Sequence, residues 1–197
     1  MNLPNKLTTS RFGLTALFLG ALFSGFPGHE TVALGVFAVA GFTDALDGRV
    51  ARKRGLVTNF GILMDPLADK ILTCSALIAF VELRRIEAWM VLVVIVAREL
   101  AITGLRLLAA SRSVVLAAEG FGKHKTISQM VAIVAILVSM SHPQWGMAGR
   151  WTFGVPLAGR AWIDWVVPVA TWASVGLTIL SGAIYLWRNR DLYLRDA

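Results

Sequence analysis

Six apolar stretches run through this 197-residue chain, and they leave little room for any fold but helices in a membrane. They cover residues 11–26, 32–49, 65–81, 88–110, 126–140 and 164–187, the first and fifth being short for a full span. A helix rises 1.5 Å per residue, so about 20 apolar residues cross the hydrocarbon core. Inside that core every backbone N–H and C=O must be satisfied within the segment, which a helix does. The composition agrees: 56% of residues are hydrophobic, and a soluble domain of this length is far more polar.

Charge placement gives the orientation. Lys6, Arg11, Arg49, Arg52, Lys53, Arg54, Lys70, Arg106, Arg112, Lys123, Lys125, Arg188, Arg190 and Arg195 fall on one side of the stretches. Only Arg84, Arg85, Arg150 and Arg160 fall on the other, and Arg98 lies within a stretch. Basic residues concentrate on the cytoplasmic side. The expected fold is therefore an all-α integral membrane bundle of six transmembrane helices, a single domain over 1–197, with both termini cytoplasmic. The basic amphipathic start, residues 3–11, is expected to lie along the interface as a separate N-terminal helix. The net charge of +7 then needs no nucleic acid to explain it. Positive-inside bias and anionic lipid account for it.

Residues 141–163 hold four glycines, two prolines and three tryptophans and read as an outer loop. Trp145, Trp151, Trp162 and Trp165 are expected as interfacial belt residues rather than a ligand cage. Cys74, the single cysteine, lies in an apolar run and reads as a small buried residue.

The chemistry is carried by four aspartates. The pattern is Asp44-x2-Asp47-Gly48-x2-Ala51-Arg52-x8-Gly61-x3-Asp65-x3-Asp69. Carboxylates within membrane helices are costly and mark function. Residues three or four apart share a helix face, so each pair converges. Four converging carboxylates repel one another unless divalent cations lie between them, and hard oxygen ligands suit magnesium or manganese. Blander readings exist for single residues. Asp65 before Pro66 is a common helix start, Asp69 and Lys70 read as a solvated pair, and Asp44 and Asp47 read as the end of a span. None of these explains all four at once. Gly48 and Ala51 stand one turn beyond Asp44 and Asp47 and leave a bay where a base or diphosphate approaches the backbone. Arg52 follows, within reach of a phosphate.

This pattern resembles, at every specified position, the signature of the CDP-alcohol phosphatidyltransferases. The resemblance implies a six-helix membrane enzyme, usually a homodimer, that displaces CMP from a CDP-linked lipid or alcohol with an incoming hydroxyl. It implies that Asp44, Asp47 and Asp65 are metal ligands, two metals per site. It makes Asp69 the catalytic base, also able to touch a metal, and makes Gly48 and Ala51 the floor of the cytidine site.

The acceptor is read from other residues. Arg98 and Glu99 lie within the fourth stretch, and Arg106 stands eight residues on. Eight residues leave the two arginines about 80° apart around a helix, so both can line one cavity. Lys123 and Lys125 precede the fifth stretch, with His124 between them. Such a basic cavity beside a metal site suits an acceptor that is itself a phosphate ester. An Arg98–Glu99 ion pair is the competing use of Arg98, and it is awkward because helix neighbours point about 100° apart.

The resemblance extends here as well. Asn2 to Thr8 with Arg11, Ala97 to Leu100, Gly104 to Arg106, Gly122 to Thr126 with Gln129 and Met130, and Leu180 to Asp191 look like the bacterial branch of the family that uses glycerol 3-phosphate. It implies CDP-diacylglycerol as donor, contacted by Asn5, Thr8, Gly48, Ala51 and Arg52. It implies glycerol 3-phosphate as acceptor, with its phosphate on Arg98, Arg106, Lys123 and Lys125. The expected setting is the bacterial cytoplasmic membrane, with the active site facing the cytoplasm. An inositol phosphate acceptor shares the required charge. A divalent-cation transporter is the reading from another class, but transport sites lie near the midplane and these aspartates lie near span ends.

Overall fold

The structure is a computed structural model that describes residues 3–54, 59–91, 97–111 and 121–194. Side chains are further restricted: those of residues 3–9, of 44–69 and of 121–123 are not described. The elements are α1 (Leu3–Phe23), α2 (His29–Arg54), α3 (Asn59–Glu82), α4 (Ala97–Ser111) and α5 (Phe121–Ser141). A short 3-10 turn (His142–Trp145), α6 (Gly146–Thr152), a two-stranded hairpin of β1 (Pro156–Leu157) and β2 (Arg160–Ala161), α7 (Trp162–Arg188) and α8 (Asp191–Leu194) complete them. The described residues of all six apolar stretches are almost wholly helical, residues 88–91 included.

Two boundaries differ from expectation. The interfacial helix at residues 3–11 is not a separate element, because α1 runs unbroken from Leu3 to Phe23. Pro4 sits in its first turn, where no N–H is missed, and no proline stands near Arg11 to break the helix. The Asp65-Pro66 pair does not start a helix either. α3 begins at Asn59, so Pro66 falls inside it. There the proline removes the donor that would meet the carbonyl four residues earlier, Ile62.

The core is aromatic and aliphatic. Phe18 of α1 meets Phe37 of α2 at 5.6 Å between ring centroids. Phe80 of α3 and Ile133, Ile136 and Leu137 of α5 close around them, all fully buried. α1 packs against α2 and α3, α5 packs against α2, α3 and α7, and α4 packs chiefly against α7. Ile102 and Leu105 of α4 form a second small core with Tyr185 of α7.

The outer surface has the opposite character. Leu17, Phe42, Ile78, Leu100, Ile127, Val169, Trp172 and Ile179 are exposed, whereas Gln129, Ser174, Thr178 and Ser181 are buried. Apolar outside and hydroxyl-bearing inside suits a hydrocarbon surround, where small polar side chains pack helix to helix. Among the described residues two helical runs are long and apolar enough to cross a membrane, His124–Thr152 and Trp162–Arg188. The helix apolar over His29–Thr43 and that over Ser10–Phe23 are shorter.

The expected outer loop is a folded cap. Trp145 Nε1 donates to Thr31 Oγ1 at 2.8 Å, Trp162 Nε1 to the Thr152 carbonyl at 2.7 Å and Trp165 Nε1 to the Leu157 carbonyl at 3.0 Å. Phe153 stacks on Trp162 at 5.8 Å. Gly149 has no room for a side chain, since a Cβ there would stand 2.0 Å from the His142 carbonyl oxygen. Trp151 and Trp165 are exposed, and Trp165 is exposed while its indole N–H is bonded.

Candidate functional site

The aspartate signature spans the end of α2 and the start of α3. Asp44, Asp47, Gly48, Ala51 and Arg52 lie on α2, and Gly61, Asp65 and Asp69 lie on α3. Only residues 55–58 separate the helices, so Arg54 and Asn59 are within about 18 Å of each other. α2 and α3 both pack against α1 and α5, which holds their joined ends on one side of the bundle. The side chains of these residues lie outside the described part of the structure, as do those of Asn5, Thr8 and Lys123. Among the described residues no group of three His, Cys, Asp or Glu stands close enough to hold a metal ion. The four aspartates are the donor set that fits one: oxygen ligands only, on two helices, at helix-face spacing.

Next to Asp69 in sequence the described site begins. Lys70 Nζ donates to Thr103 Oγ1 of α4 at 2.8 Å and lies 3.4 Å from Glu99 Oε2. Lys70 thus reaches to α4, a partner 33 residues on, which the solvated-pair reading did not foresee. Glu99 is the hub. Arg98 Nη1 donates to Glu99 Oε1 at 2.8 Å, and Lys125 Nζ of α5 donates to the same oxygen. The Arg98–Glu99 pair that looked awkward is made. Two long side chains leaving the helix 100° apart still converge beyond its surface. His124 is exposed and takes no part.

Three cations around one carboxylate leave two positive charges uncompensated among the described side chains. Lys125, Glu99 and Arg98 are only 8%, 14% and 17% exposed, so water screens their charges poorly, whereas Lys70 at 37% is partly solvated. Arg98 Nε is buried with no hydrogen-bond partner among the described residues, and so is Gln129 Nε2, one turn along α5 from Lys125. Buried donors left unmet call for a ligand or a water. A phosphate monoester, close to a dianion at neutral pH, supplies both the charge and the acceptors.

α7 sets the position of both arginines. Its Gly182 faces Arg98, where a Cβ would lie 3.1 Å from Arg98 Cγ. Arg106 stands over the Tyr185 ring at 5.8 Å, and its Nε lies 3.4 Å from the Tyr185 hydroxyl. Arg98 and Arg106 therefore share the α7-facing side of α4. Glu99, Lys70, Thr103, Gln129, Gly182 and Tyr185 escaped the sequence reading as site residues. Tyr185 and Gly182 at i and i−3 on a helix with apolar outer faces were the available signal.

The sequence that places carboxylates on two adjoining helix ends beside a cluster of basic side chains matches a known lineage. Residues 1–181 match the CDP-alcohol phosphatidyltransferase family, and the chain belongs to it. A CDP-diacylglycerol–glycerol-3-phosphate 3-phosphatidyltransferase of Bacillus subtilis (strain 168) is 37% identical over 200 residues, covering 95% of each chain. A "Probable phosphatidylglycerophosphate synthase" of Mycobacterium tuberculosis (strain ATCC 25618 / H37Rv) is 40% identical over 195 residues, covering 97% of this chain and 83% of its own. A cardiolipin synthase (CMP-forming) of Oryza sativa subsp. japonica is 30% identical over 204 residues, covering 95% of this chain and 58% of its own.

Proposed function

We propose that this chain transfers the phosphatidyl group of CDP-diacylglycerol to glycerol 3-phosphate, giving phosphatidylglycerol phosphate and CMP. The bacterial relatives above carry that activity in their names across nearly the whole length of this chain. The observation that carries the acceptor is the Lys70–Arg98–Lys125 cluster around Glu99, which among the described residues leaves two charges uncompensated and Arg98 Nε unmet. Free glycerol or serine has less use for such a multiply basic site than a phosphate ester does.

In this reading the acceptor hydroxyl oxygen attacks the phosphatidyl phosphorus of the donor. Its proton passes to the Asp69 carboxylate. The bond from that phosphorus to the bridging oxygen breaks, and CMP departs with that oxygen. Asp44, Asp47, Asp65 and Asp69 would hold two magnesium or manganese ions, which supply neutralisation of the diphosphate when bound. Arg98, Arg106, Lys123 and Lys125 hold the acceptor phosphate. Asn5, Thr8, Gly48, Ala51 and Arg52 hold the donor. Lys70 follows Asp69 directly and bonds to α4, so it ties the base's helix to the acceptor's helix. Positioning and charge stabilisation carry phosphoryl transfer.

The setting we propose is six spans in the bacterial cytoplasmic membrane, with both termini and the aspartate helix ends on the cytoplasmic side, and a homodimer. The fourteen-to-four distribution of basic residues supports that orientation. Membership of a transferase family favours this reading over a cation transporter. The test is CMP release by purified protein given CDP-diacylglycerol, magnesium and a panel of alcohols. Glycerol 3-phosphate should be the acceptor used. Equal use of free glycerol, or use of inositol phosphate alone, would refute the acceptor assignment.

A further inference from the structure

At the other end of the bundle lies a second basic pocket that the transfer reaction does not use. It is an open cavity of about 450 Å³ lined by Arg84, Arg85, Arg160, Asp164, Ser139, Ile136 and Val167. That volume falls within the roughly 300–1,000 Å³ of small-molecule sites. Glu82, the last residue of α3, stands 13 residues beyond Asp69, which at 1.5 Å per residue is about 20 Å along the helix, and Arg84 follows two residues later.

Among the described residues its charges have no ion-pair partner. Asp164 accepts a hydrogen bond from Ser139 Oγ at 2.7 Å. None of the three guanidinium groups has a carboxylate within 4.0 Å among the described residues, and neither Glu82 at the end of α3 nor Glu87 on the following loop lines the cavity. Three arginines against one aspartate leave two positive charges facing the cavity.

The backbone adds a second observation. Arg84 has φ +54°, the left-handed region that favours glycine. It is the second residue past α3, where the Arg84 N–H donates to the Val81 carbonyl at 2.9 Å and the Arg85 N–H to the Phe80 carbonyl at 2.8 Å. Glycine is the residue that ends helices in this way. An arginine held there at a conformational cost points to a use for its side chain. Arg160 is presented with equal care: it opens β2 of the hairpin, pairs with Leu157, and lies 6.0 Å over the Trp165 ring.

The surroundings identify the ligand class. Trp145, Trp151, Trp162 and Trp165 gather at this end, and tryptophans of that kind sit at the depth of lipid headgroups. Beneath the arginines the wall turns apolar, through Ile136 into a crevice lined by Leu77, Ile86, Met90 and Val175. We propose that Arg84, Arg85 and Arg160 form a phosphate-binding site at the membrane face opposite the aspartate signature. The phosphate comes from an anionic phospholipid headgroup or from free phosphate, with Asp164 and Ser139 available to a hydroxyl of the same ligand.

The full-length protein and the variants R84G, R85Q and R160Q would be compared by native mass spectrometry after exchange into phosphatidylglycerol or phosphatidylcholine. Binding of inorganic phosphate would be followed in parallel by calorimetry. The readout is binding, so it stands apart from the acceptor assigned above. Wild type should retain one more phosphatidylglycerol than each variant, and each variant should weaken that binding about tenfold or more. Loss of phosphate binding in the variants with equal lipid retention would assign the site to free phosphate. R84G guards against a folding artefact. Glycine relieves the backbone at this position, so its melting temperature should match or exceed wild type while ligand is lost. Unchanged lipid and phosphate binding in all three variants would overturn the proposal.

Discussion

Replacing Arg98 with lysine separates charge from geometry at the acceptor site. The guanidinium offers five N–H donors, and one of its Nη1 hydrogens goes to Glu99 at 2.8 Å. Its Nε is buried and unmet among the described residues. Nε and Nη2 form one edge of the guanidinium and match a phosphate bidentately. Lysine keeps the positive charge and still reaches Glu99, but it has no N–H at that edge. One lost hydrogen bond to a charged group is worth about 1.5–3 kcal/mol, which is about 10- to 150-fold in binding. With Arg98 only 17% exposed, screening does not erase that figure. The fold should survive, because Glu99 keeps Lys70 and Lys125. The assay is CMP release against glycerol 3-phosphate concentration at saturating CDP-diacylglycerol. The acceptor KM should rise by the stated factor with kcat and donor KM little changed, as expected for loss of ground-state binding. Arg98→Ala should raise it further. An unchanged acceptor KM, or a donor KM rising in step, would refute the assignment of Arg98 to the acceptor phosphate.

The aspartates give two more tests. Asp44→Asn, Asp47→Asn and Asp65→Asn should each abolish activity with melting behaviour retained, and EDTA should silence wild type; turnover under excess EDTA would end the two-metal reading. Asp69→Asn should lower kcat by about two to four orders of magnitude with donor binding largely kept, and a proportional loss of CDP-diacylglycerol binding would make Asp69 a ligand first. In the outer cap, Gly149→Ala drives a methyl into the His142 carbonyl oxygen, 2.0 Å from the ideal Cβ. It should destabilise the protein by about 1–3 kcal/mol, read as a lower melting temperature, and an unchanged melt would show that the cap tolerates rearrangement.

What could be read from the sequence follows from what is local. Hydrophobic runs and spacing along one helix predicted the helical stretches, and the basic residues near α4 and α5 pointed to an anion. Partners brought together by packing were not legible. Lys70 meets Thr103, and Lys125 meets Glu99, across separations that no periodicity encodes. The Arg98–Glu99 pair misled because a helical wheel tracks Cβ directions and ignores how far long side chains bend back. Pro66 misled because a proline usually marks a helix start, whereas α3 already has about two turns before it. The fold of residues 141–163 depends on indole N–H groups finding carbonyls, which composition alone reads as a loop.

The mounting of α4 has a mechanical consequence. This helix carries Arg98 and Arg106, yet among the described residues its chief packing partner is α7 alone. Toward α3 and α5 it is tethered by side-chain tips: Lys70 on Thr103 and Glu99, and Lys125 on Glu99. Interlocked cores resist displacement steeply, whereas long flexible side chains give way over an ångström or more by changing rotamer. α4 is therefore the compliant wall of the pocket, and α7 is the rail on which it is carried. An anion that binds all three cations at once would draw that wall inward, so the charge it neutralises would also stiffen the site around it.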